Sequence, residues 1–352
     1  MSGGPIWTRT LSDGGQDALE IAHELAEFVE AARKTLDVAV YDVRLPSPAG
    51  DVVADAIRGA AARGVQVRIA FNHEERHPVP VPPPPRTNPD LLAALGVPLR
   101  PIPGEPDLMH HKYVVRDGES VWTGSTNWTL DSWTREENVL VTVHSPAVAA
   151  AYGHDFAQLW RRASVEESGD FDTRPAPVGG ASVRPWFCPG RGAALAQHIA
   201  TAIGRARRRV RIASPVLTSG PILGTLAELS ADGRVDLAGV LDATQIEQVY
   251  GQWAANERSR WKLGLLGALL GHGGFTGKRS TPYRPGSVHD FMHAKVTVVD
   301  DVMFVGSFNL SHSGEMNAEN VLEIEDARLA DEMAGFVDKV RALYPPAPLP
   351  RD

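Results

Sequence analysis

The pattern of hydrophobic and polar positions predicts the same succession of elements in both halves of the chain. In the first half it predicts helices over residues 17–34, 51–63 and 146–162, and strands over 35–43, 65–71, 120–123 and 137–143. In the second half it predicts helices over 193–208, 221–229 and 327–344, and strands over 210–213, 235–241 and 320–324. Strands that alternate with helices favour an α/β fold, and we expect a largely parallel sheet in each half.

Two long segments interrupt this order, and a third separates the halves. Residues 77–106 are rich in proline and are expected to form a loop that contains a short helix over 88–95. Residues 252–290 are expected to form a second long loop. A segment rich in Asp, Pro and Gly lies between the halves. The sequence therefore predicts two similar domains, residues 1–168 and 181–352, joined by a linker over 169–180.

One polar motif occurs twice. Both copies read His-x-Lys-x4-Asp, then Gly-Ser-x-Asn, then Glu-Asn-Val; they comprise His110, Lys112, Asp117, Gly124, Ser125, Asn127 and Glu137 in the first half, and His293, Lys295, Asp300, Gly306, Ser307, Asn309 and Glu319 in the second. The histidines are 183 positions apart and the two Glu-Asn-Val tripeptides 182 apart. Six residues separate Asp117 from Gly124, whereas five separate Asp300 from Gly306. This repetition indicates an internal duplication.

The residue types in the motif suit a phosphate group. Side chains alternate along a strand, so His110 and Lys112 should share one face while His111 points to the other. If the two clusters meet, one neutral imidazole can attack phosphorus and the other, protonated, can supply the leaving oxygen with a proton. The lysines and asparagines would stabilise the developing charge by about 3–4 kcal/mol per donor. Neither a metal nor a cofactor is required by this scheme.

The duplicated motif resembles the signature of the phospholipase D superfamily, and the resemblance extends over both halves. It implies two similar α/β/α sandwich domains that share one active site at their interface. It also implies metal-independent phosphodiester cleavage through a covalent phosphohistidine, followed by attack of water or another alcohol.

The resemblance further implies a role for each motif residue. His110 matches the usual nucleophile and His293 the usual general acid, although the sequence does not decide between them. The residues expected to hold phosphate are Lys112, Lys295, Asn127 and Asn309. Glu137 and Glu319 are expected to orient the histidines, and Asp117, Asp300, Ser125 and Ser307 to support the site.

Composition and charge limit the classes of substrate and the cellular locations that the sequence favours. The chain of 352 residues has a formal net charge of −8, which disfavours a broad basic surface for nucleic acid without excluding a local basic groove. A single cysteine, Cys188, excludes an intrachain disulfide and is expected to be a buried small hydrophobe. Residues 1–17 lack the pattern of a secretory signal, and no apolar run approaches the roughly 20 residues of a membrane-spanning helix. We therefore predict a cytoplasmic location, with peripheral membrane contact as an option.

The substrate remains open between two classes. A phospholipid is the first hypothesis, because the apolar run 262–270 could line an acyl site or touch a membrane through the loop 252–290. Packing of that run on the body is equally compatible. Trp122, Trp128 and Trp133 could contact lipid or a base, with Trp122 expected in the core. The alternative is a nuclease. The arginine-rich run 205–211 could contribute a phosphate-backbone contact to it, although a solvated helix end is the simpler interpretation of that run. A catalytically silent binding module is disfavoured because no motif residue is substituted, and no partner protein is implied.

Overall fold

The first half of the chain forms a seven-stranded mixed sheet with helices. The computed structural model describes residues 4–73, 87, 89–282, 287 and 289–350. The elements of this half are β1 (Ile6–Leu11), α1 (Ala18–Glu30), β2 (Thr35–Val40), β3 (Val43–Arg44), α2 (Ala49–Ala62), β4 (Gln66–His73), α3 (Pro89–Ala93), β5 (Leu99–Pro103), β6 (Lys112–Arg116), β7 (Ser120–Gly124), β8 (Trp128–Thr129), α4 (Leu130–Thr134), β9 (Asn138–His144) and α5 (Pro146–Arg162).

The second half repeats the plan around an eight-stranded sheet. Its elements are β10 (Ala176–Val178), β11 (Ala181–Phe187), α6 (Gly192–Gly204), β12 (Arg209–Ser214), α7 (Gly220–Asp232), β13 (Asp236–Asp242), α8 (Ala243–Ala254), α9 (Trp261–Gly271), β14 (Phe275–Lys278), β15 (Val296–Val299), β16 (Val302–Gly306), α10 (His312–Met316), β17 (Asn320–Glu325) and α11 (Ala327–Arg341).

The strand order shows the duplication directly. The first sheet runs β1-β9-β7-β6-β2-β4-β5, and the second runs β10-β11-β17-β16-β15-β12-β13-β14. The expectation of largely parallel sheets is wrong. Among the described strands of these two sheets, parallel pairing is confined to β2–β4–β5 and β12–β13–β14. The motif strands β6–β7 and β15–β16 are hairpins, and their short turns enforce antiparallel pairing.

Local sequence sets where the long helices begin. Asp17 caps α1 by accepting a hydrogen bond from the Leu19 N–H, and Asp326 does the same for Leu329 at α11. Ser145 caps α5, whose first residue is Pro146, where the missing proline N–H costs no helical bond. These caps fix the first turns of α1, α5 and α11.

The two halves share a hydrophobic core. Helices α1 and α2 cover the outer side of the first sheet, and α6, α7, α8 and α9 cover the outer side of the second. Between the sheets, Tyr152 and Phe156 of α5 and Met333 and Val337 of α11 lie in a single buried cluster that contains strand residues of both halves. The predicted fold, two similar α/β/α domains that meet at an interface, is confirmed.

Several segments differ from the sequence-based expectations. Residues 6–11, for which the sequence pattern predicts neither helix nor strand, form β1 on the edge of the first sheet, and residues 176–178 of the predicted linker form β10. The predicted long loop 252–290 contains the last residues of α8 and the whole of α9 and β14. The tetraproline at 82–85 lies outside the described residues. The domain boundary itself stays a prediction.

The tryptophans near the first motif belong to the interior. Trp122, Trp128 and Trp133 are each at most 2% exposed and pack in the core beneath α1 and α2. The expected core position of Trp122 is confirmed, and Trp128 and Trp133 are interior as well, so none of the three indoles offers an exposed face on which a base could stack. In the apolar run, Leu266, Leu269 and Leu270 are likewise buried in the core of the second half, although Trp261 is 59% exposed.

Candidate active site

Both motif histidines lie where the halves meet. The His110 N–H donates to the carbonyl of Ala318 at 2.9 Å, and the His293 N–H donates to the carbonyl of Glu137 at 3.2 Å. The preceding residues, Met109 and Met292, form isolated bridges with Ala318 and Glu137. Each histidine is therefore held by backbone bonds to the opposite half.

The motif aspartates hold the turns that follow the histidine strands. The carboxylate of Asp117 accepts hydrogen bonds from the backbone N–H groups of residues 33, 34 and 35, and that of Asp300 accepts from those of 207, 208 and 209. Although partial burial opposes it, these donors hold the pKa of both aspartates below its ordinary value. Both residues have a positive φ, 58° and 52°, which Asp tolerates better than most residues.

The glycine of each Gly-Ser-x-Asn segment is required by close packing. A Cβ on Gly124 would lie 2.1 Å from the carbonyl oxygen of Val139, and one on Gly306 would lie 2.1 Å from that of Asn320. This approach lets the serine bond the neighbouring strand twice. Ser125 donates its N–H to the Val139 carbonyl and accepts from the Val139 N–H, and Ser307 does the same with Asn320.

These serine bonds show that the two Glu-Asn-Val tripeptides are not structurally equivalent. Since Val139 and Asn320 occupy matching places, the counterpart of Glu319 is Asn138, and the counterpart of Glu137 is Ala318. Strand pairing agrees, because Gly124 pairs with Leu140 whereas Gly306 pairs with Val321. The first half therefore has one additional residue between the motif asparagine and the strand, so that the sequence match is displaced by one position.

The displacement gives the two histidines different partners. Nδ1 of His110 lies 2.9 Å from both carboxylate oxygens of Glu319. Nδ1 of His293 lies 3.1 Å from the amide Oδ1 of Asn138 and 3.3 Å from Oε2 of Glu136. Glu319 thus contacts a histidine as the sequence predicts. The expectation that Glu137 orients His293 is wrong, because its side chain points elsewhere.

Carboxylate and amide have exchanged places between the halves. Beside Glu319 stands Asn317, whose Nδ2 donates to it at 3.2 Å. In the matching pair, Asn138 faces the histidine and its Nδ2 donates to Glu136 at 3.2 Å. The same amide also donates to the Ser132 carbonyl at 3.0 Å, so that Oδ1 is the atom turned toward His293.

Glu137 belongs to a buried ion pair. Lys278 at the end of β14 donates to its Oε2 at 2.9 Å, and also lies 3.2 Å from Asp13. The hydroxyl of Tyr344 donates to the other oxygen of Glu137. Both Glu137 and Lys278 are buried. This cluster therefore links the first sheet to the second half and leaves Glu137 unable to reach a histidine.

The motif lysines lie below the histidines and are buried. Nζ of Lys112 donates to the carbonyl of His110 at 2.6 Å and lies 4.8 Å above the ring of Tyr41. Nζ of Lys295 donates to the carbonyl of His293 at 2.5 Å. Neither lysine is among the residues that line the cavity described below. The geometry shows a structural bond for each ammonium, and direct contact with phosphate stays a prediction.

Burial dominates the electrostatics of this cluster. It lowers the pKa of His110 and His293 well below the ordinary value, and each is lowered further by the two lysine charges. Burial raises the pKa of Glu319 to about 7, although Lys112 opposes the rise. Burial also lowers the pKa of both lysines and raises that of Glu136. Before an anion binds, the site therefore resists further positive charge on either imidazole.

The histidines open onto a cavity of about 390 Å³. It is lined by Tyr41, Asp42, Arg44, Asn72, His73, Thr87, Pro89, His110, Asn127, Thr129, Asp131, Glu136, His289, Phe291 and His293. Asn127 thus borders the cavity as expected, whereas Asn309 is not among the lining residues. Oδ1 of each asparagine is buried and has no hydrogen-bond partner among the described residues.

Sequence reasoning missed several residues of the site. Glu136 and Asn138 contact His293, and the ring of Tyr41 packs edge-on against that of His110 with 4.8 Å between centroids. His111, which alternation places on the opposite strand face, is fully buried with Nε2 3.1 Å from Asp155. The adjacent acidic pair Glu136-Glu137 was the available signal, since it offered two carboxylates where the second copy has one.

Other chemistry-bearing features are simpler. Cys188 is buried, as predicted, and burial raises the pKa of its thiol. Within the described residues, no group of three or more His, Cys, Asp or Glu side chains is arranged to hold a metal ion. None of the helices in the described part of the chain combines the length and apolar character that a membrane crossing needs.

The fold and site define a duplicated α/β protein with one two-histidine cavity between its halves. Residues 25–160 and 199–340 match the family described as cardiolipin synthase, PLD-like domain. The chain therefore belongs to this family, and the resemblance to the phospholipase D superfamily is confirmed.

Curated relatives and solved structures agree with this assignment. The chain is 30% identical to a mitochondrial cardiolipin hydrolase of Xenopus tropicalis over 37% of its own length and 56% of the relative, and 25% identical to one of Chlamydomonas reinhardtii over 38% and 55%. It thus spans about half the length of these relatives. The crystal structure of phosphatidylserine synthase from Haemophilus influenzae Rd KW20 matches 95% of this chain and 85% of its own, with a TM-score of 0.66 and 14% identity, which shows a common fold.

Proposed function

We propose that this protein is a phospholipase D-type phosphodiesterase that cleaves a phospholipid by hydrolysis or phosphatidyl transfer, without a metal ion. The observation that supports this proposal best is the pair of imidazoles at one cavity, each held through Nδ1 by an oxygen of the opposite half. In each imidazole the Nε2 atom therefore points away from the residue that contacts Nδ1. Two such nitrogens supply a nucleophile and a proton donor for in-line displacement at phosphorus.

The unequal partners favour His110 as the nucleophile. When Nε2 bonds to phosphorus, the imidazole becomes cationic, and the adjacent carboxylate of Glu319 stabilises that charge. His293 faces a neutral amide and shares Glu136 at the longer distance of 3.3 Å. It therefore suits the general acid, which must release its proton to the leaving oxygen.

The reaction then proceeds in two balanced steps. Nε2 of His110 forms a bond to phosphorus as the bond to the leaving alkoxide breaks, and His293 gives that oxygen a proton. Neutral His293 next accepts a proton from water or another alcohol, whose oxygen attacks phosphorus and releases His110. Lys112 and Lys295 stabilise the anionic phosphorus centre through their charge, and the amide of Asn127 lies at the cavity to donate to a non-bridging oxygen.

Two observations support a phospholipid over a nucleic acid. The curated relatives at 25–30% identity bear the name cardiolipin hydrolase. Three of the five arginines in the run 205–211 are occupied in structural ion pairs, since Arg208 contacts Asp301, Arg209 contacts Asp331, and Arg211 contacts Asp236 and Asp338. Those arginines are unsuited to a phosphate backbone, because their charge is already compensated.

The test is a parallel assay on phospholipid vesicles and single-stranded DNA, with a chelator present. We expect release of the headgroup alcohol or transfer to an added alcohol, and no DNA cleavage. Cleavage of DNA alone would replace the proposal with a nuclease. Loss of lipid cleavage in chelator, restored by added metal, would contradict the metal-independent chemistry. The location predicted from the sequence stays a prediction.

A further inference from the structure

A second cavity lies beside the catalytic one and has a different character. It is an apolar groove of about 700 Å³ between α2, α3 and the strand β3. Its walls include Val43, Leu45, Val53, Ile57, Leu92 and Leu95. A volume of this size, lined mainly by aliphatic side chains, falls within the roughly 300–1,000 Å³ of small-molecule pockets.

A two-stranded ribbon separates the groove from the catalytic cavity. Strand β3 pairs in parallel with β8, so that Val43 lies beside Trp128 and Arg44 beside Thr129. Val43 and Trp128 line the groove, whereas Thr129 lines the catalytic cavity. Arg44 lines both. Because side chains alternate along a strand, the side of this ribbon that faces the groove is apolar and the side that faces the catalytic cavity is polar.

The polar groups at the groove are engaged with one another. The guanidinium of Arg44 binds the carboxylate of Asp42 at 2.8 Å, and the Ser47 hydroxyl donates to Asp51 at 2.6 Å. Arg58 pairs with Asp55 at 2.7 Å. A nucleobase or a peptide would need hydrogen-bonding partners here, whereas a hydrocarbon chain needs none. The remaining surface is aliphatic and continues to an exposed leucine, Leu91, which is 44% exposed.

We propose that this groove binds an acyl chain of the phospholipid whose phosphodiester lies at His110 and His293. The chain would pass Arg44, where the cavities adjoin, and extend along α2 and α3. Arg44 stands where the glycerol-phosphate part would cross, with its guanidinium held in place by the ion pair to Asp42. This inference rests on the proposed lipid function. It adds a site that makes the reaction rate depend on the length of the acyl chain.

The test uses water-soluble phospholipids of increasing short acyl length, kept below their aggregation concentration. The chain then moves from water into protein, and each additional buried methylene should raise kcat/KM by up to about fourfold. We expect this dependence in the unaltered chain. In Ala94→Trp, whose new indole would fill the groove, and in the milder Leu91→Ser, the increase per methylene should fall toward onefold.

Matched controls lie outside the groove. Ala93→Trp places the same indole on an exposed position of α3 that does not line the groove, and Leu343→Ser alters a leucine that is 67% exposed elsewhere. Both should keep the dependence on chain length. Melting temperatures of all four variants would show that each is folded, and the exposure of the altered positions favours that outcome.

The outcomes separate this inference from the proposed function. Phospholipids cleaved at the same kcat/KM whatever their chain length, or a dependence that survives in Ala94→Trp and Leu91→Ser, would overturn the acyl groove while leaving the enzyme a phospholipase. DNA cleavage without lipid cleavage would overturn the proposed function itself. Variants that depress DNA cleavage alone would assign the groove to a base instead of an acyl chain.

Discussion

The two half-sites differ in what stands behind each histidine. His110 of the first half faces the carboxylate of Glu319, with the amide of Asn317 beside it. His293 of the second half faces the amide of Asn138, with the carboxylate of Glu136 beside it. The two pairs contain the same two side-chain types in opposite order. An internal duplication has therefore produced two environments that favour different chemical roles.

The cause is one residue of chain length. Eleven positions lead from Asn127 to Asn138, whereas ten lead from Asn309 to the equivalent Glu319. A shift of one position along a strand moves a side chain to the other face. Glu137, which the sequence aligns with Glu319, has thus been carried away from His293 and into the ion pair with Lys278. Similar motifs do not guarantee similar contacts.

The largest expected effect separates the two histidines. His110→Ala should lower kcat by about 10⁴-fold or more and eliminate any phosphoenzyme, because no nucleophile remains. His293→Ala should cost about 10²–10⁴-fold with an ordinary alkoxide and much less with an activated leaving group, which needs no proton. Rapid denaturation at neutral or alkaline pH, where the P–N bond of a phosphohistidine survives, followed by mass spectrometry of the trapped protein measures this directly. Phosphate found on His293 would reverse the two roles.

Substitutions at the buried ion pair of Glu137 should change the free energy of unfolding more than they change kcat. Lys278→Met leaves the buried carboxylate of Glu137 without its cation, and we expect a loss of about 3–5 kcal/mol in the free energy of unfolding. The double variant Lys278→Met with Glu137→Leu should recover much of this loss, because no charge is left buried. Urea unfolding provides the measurement. If Glu137→Gln instead abolished kcat in a fully stable protein, Glu137 would be the orienting residue after all.

Equalising the two histidine partners should have a smaller effect. Glu319→Gln gives both imidazoles an amide, and we expect kcat to fall about 10²-fold because the cationic phosphohistidine loses its adjacent charge. The acid limb of the kcat/KM profile should also move to lower pH, a shift that a merely structural role would not cause. Asn138→Asp, which gives both histidines a carboxylate, should change kcat only a few-fold. Equal losses of kcat in Glu319→Gln and Asn138→Asp would show that the two histidines do not need different partners.

The smallest expected effect concerns a feature that the halves share. Asp117→Asn and Asp300→Asn should each lower the free energy of unfolding by about 1–3 kcal/mol, since each removes a charged acceptor of backbone N–H groups. The folded-state pKa of both aspartates is depressed, so their contribution is complete above the unfolded pKa of about 3.9 and is lost as pH falls through the folded value. Urea unfolding at neutral and acidic pH should therefore show a difference that shrinks on acidification. Clearly unequal losses would show that the turns are not equivalent.

The sequence predicts the duplicated fold because helix and strand periodicities recur in order. Strand alternation likewise places His110 at the cavity and His111 in the buried contact with Asp155. The expected parallel pairing of the motif strands is wrong, because hydrophobic periodicity does not distinguish an antiparallel hairpin from a parallel crossover connection. The expectation for the partner of His293 is wrong because that partner depends on the length of the segment between Asn127 and β9. This segment consists of α4 and its flanks, and hydrophobic periodicity does not predict its conformation.

Tertiary packing explains the other differences. The apolar run in α9 could not be assigned to a surface or a core from composition, since an isolated leucine-rich helix has no preferred side until it packs. Leu266, Leu269 and Leu270 pack inward, while Trp261 stays exposed. The groove beside β3 was likewise invisible in the sequence, because it arises from the relative placement of α2 and α3.

The joining of both halves in one polypeptide has a consequence for symmetry. Two identical subunits related by a two-fold axis must present the same residue to both histidines, so a homodimer of either half would offer two carboxylates or two amides. A fused chain is released from that constraint, and each half can change independently of the other. The extra residue before β9 is such a change, and it allows a division of labour that a symmetric ancestor of this architecture could not have encoded.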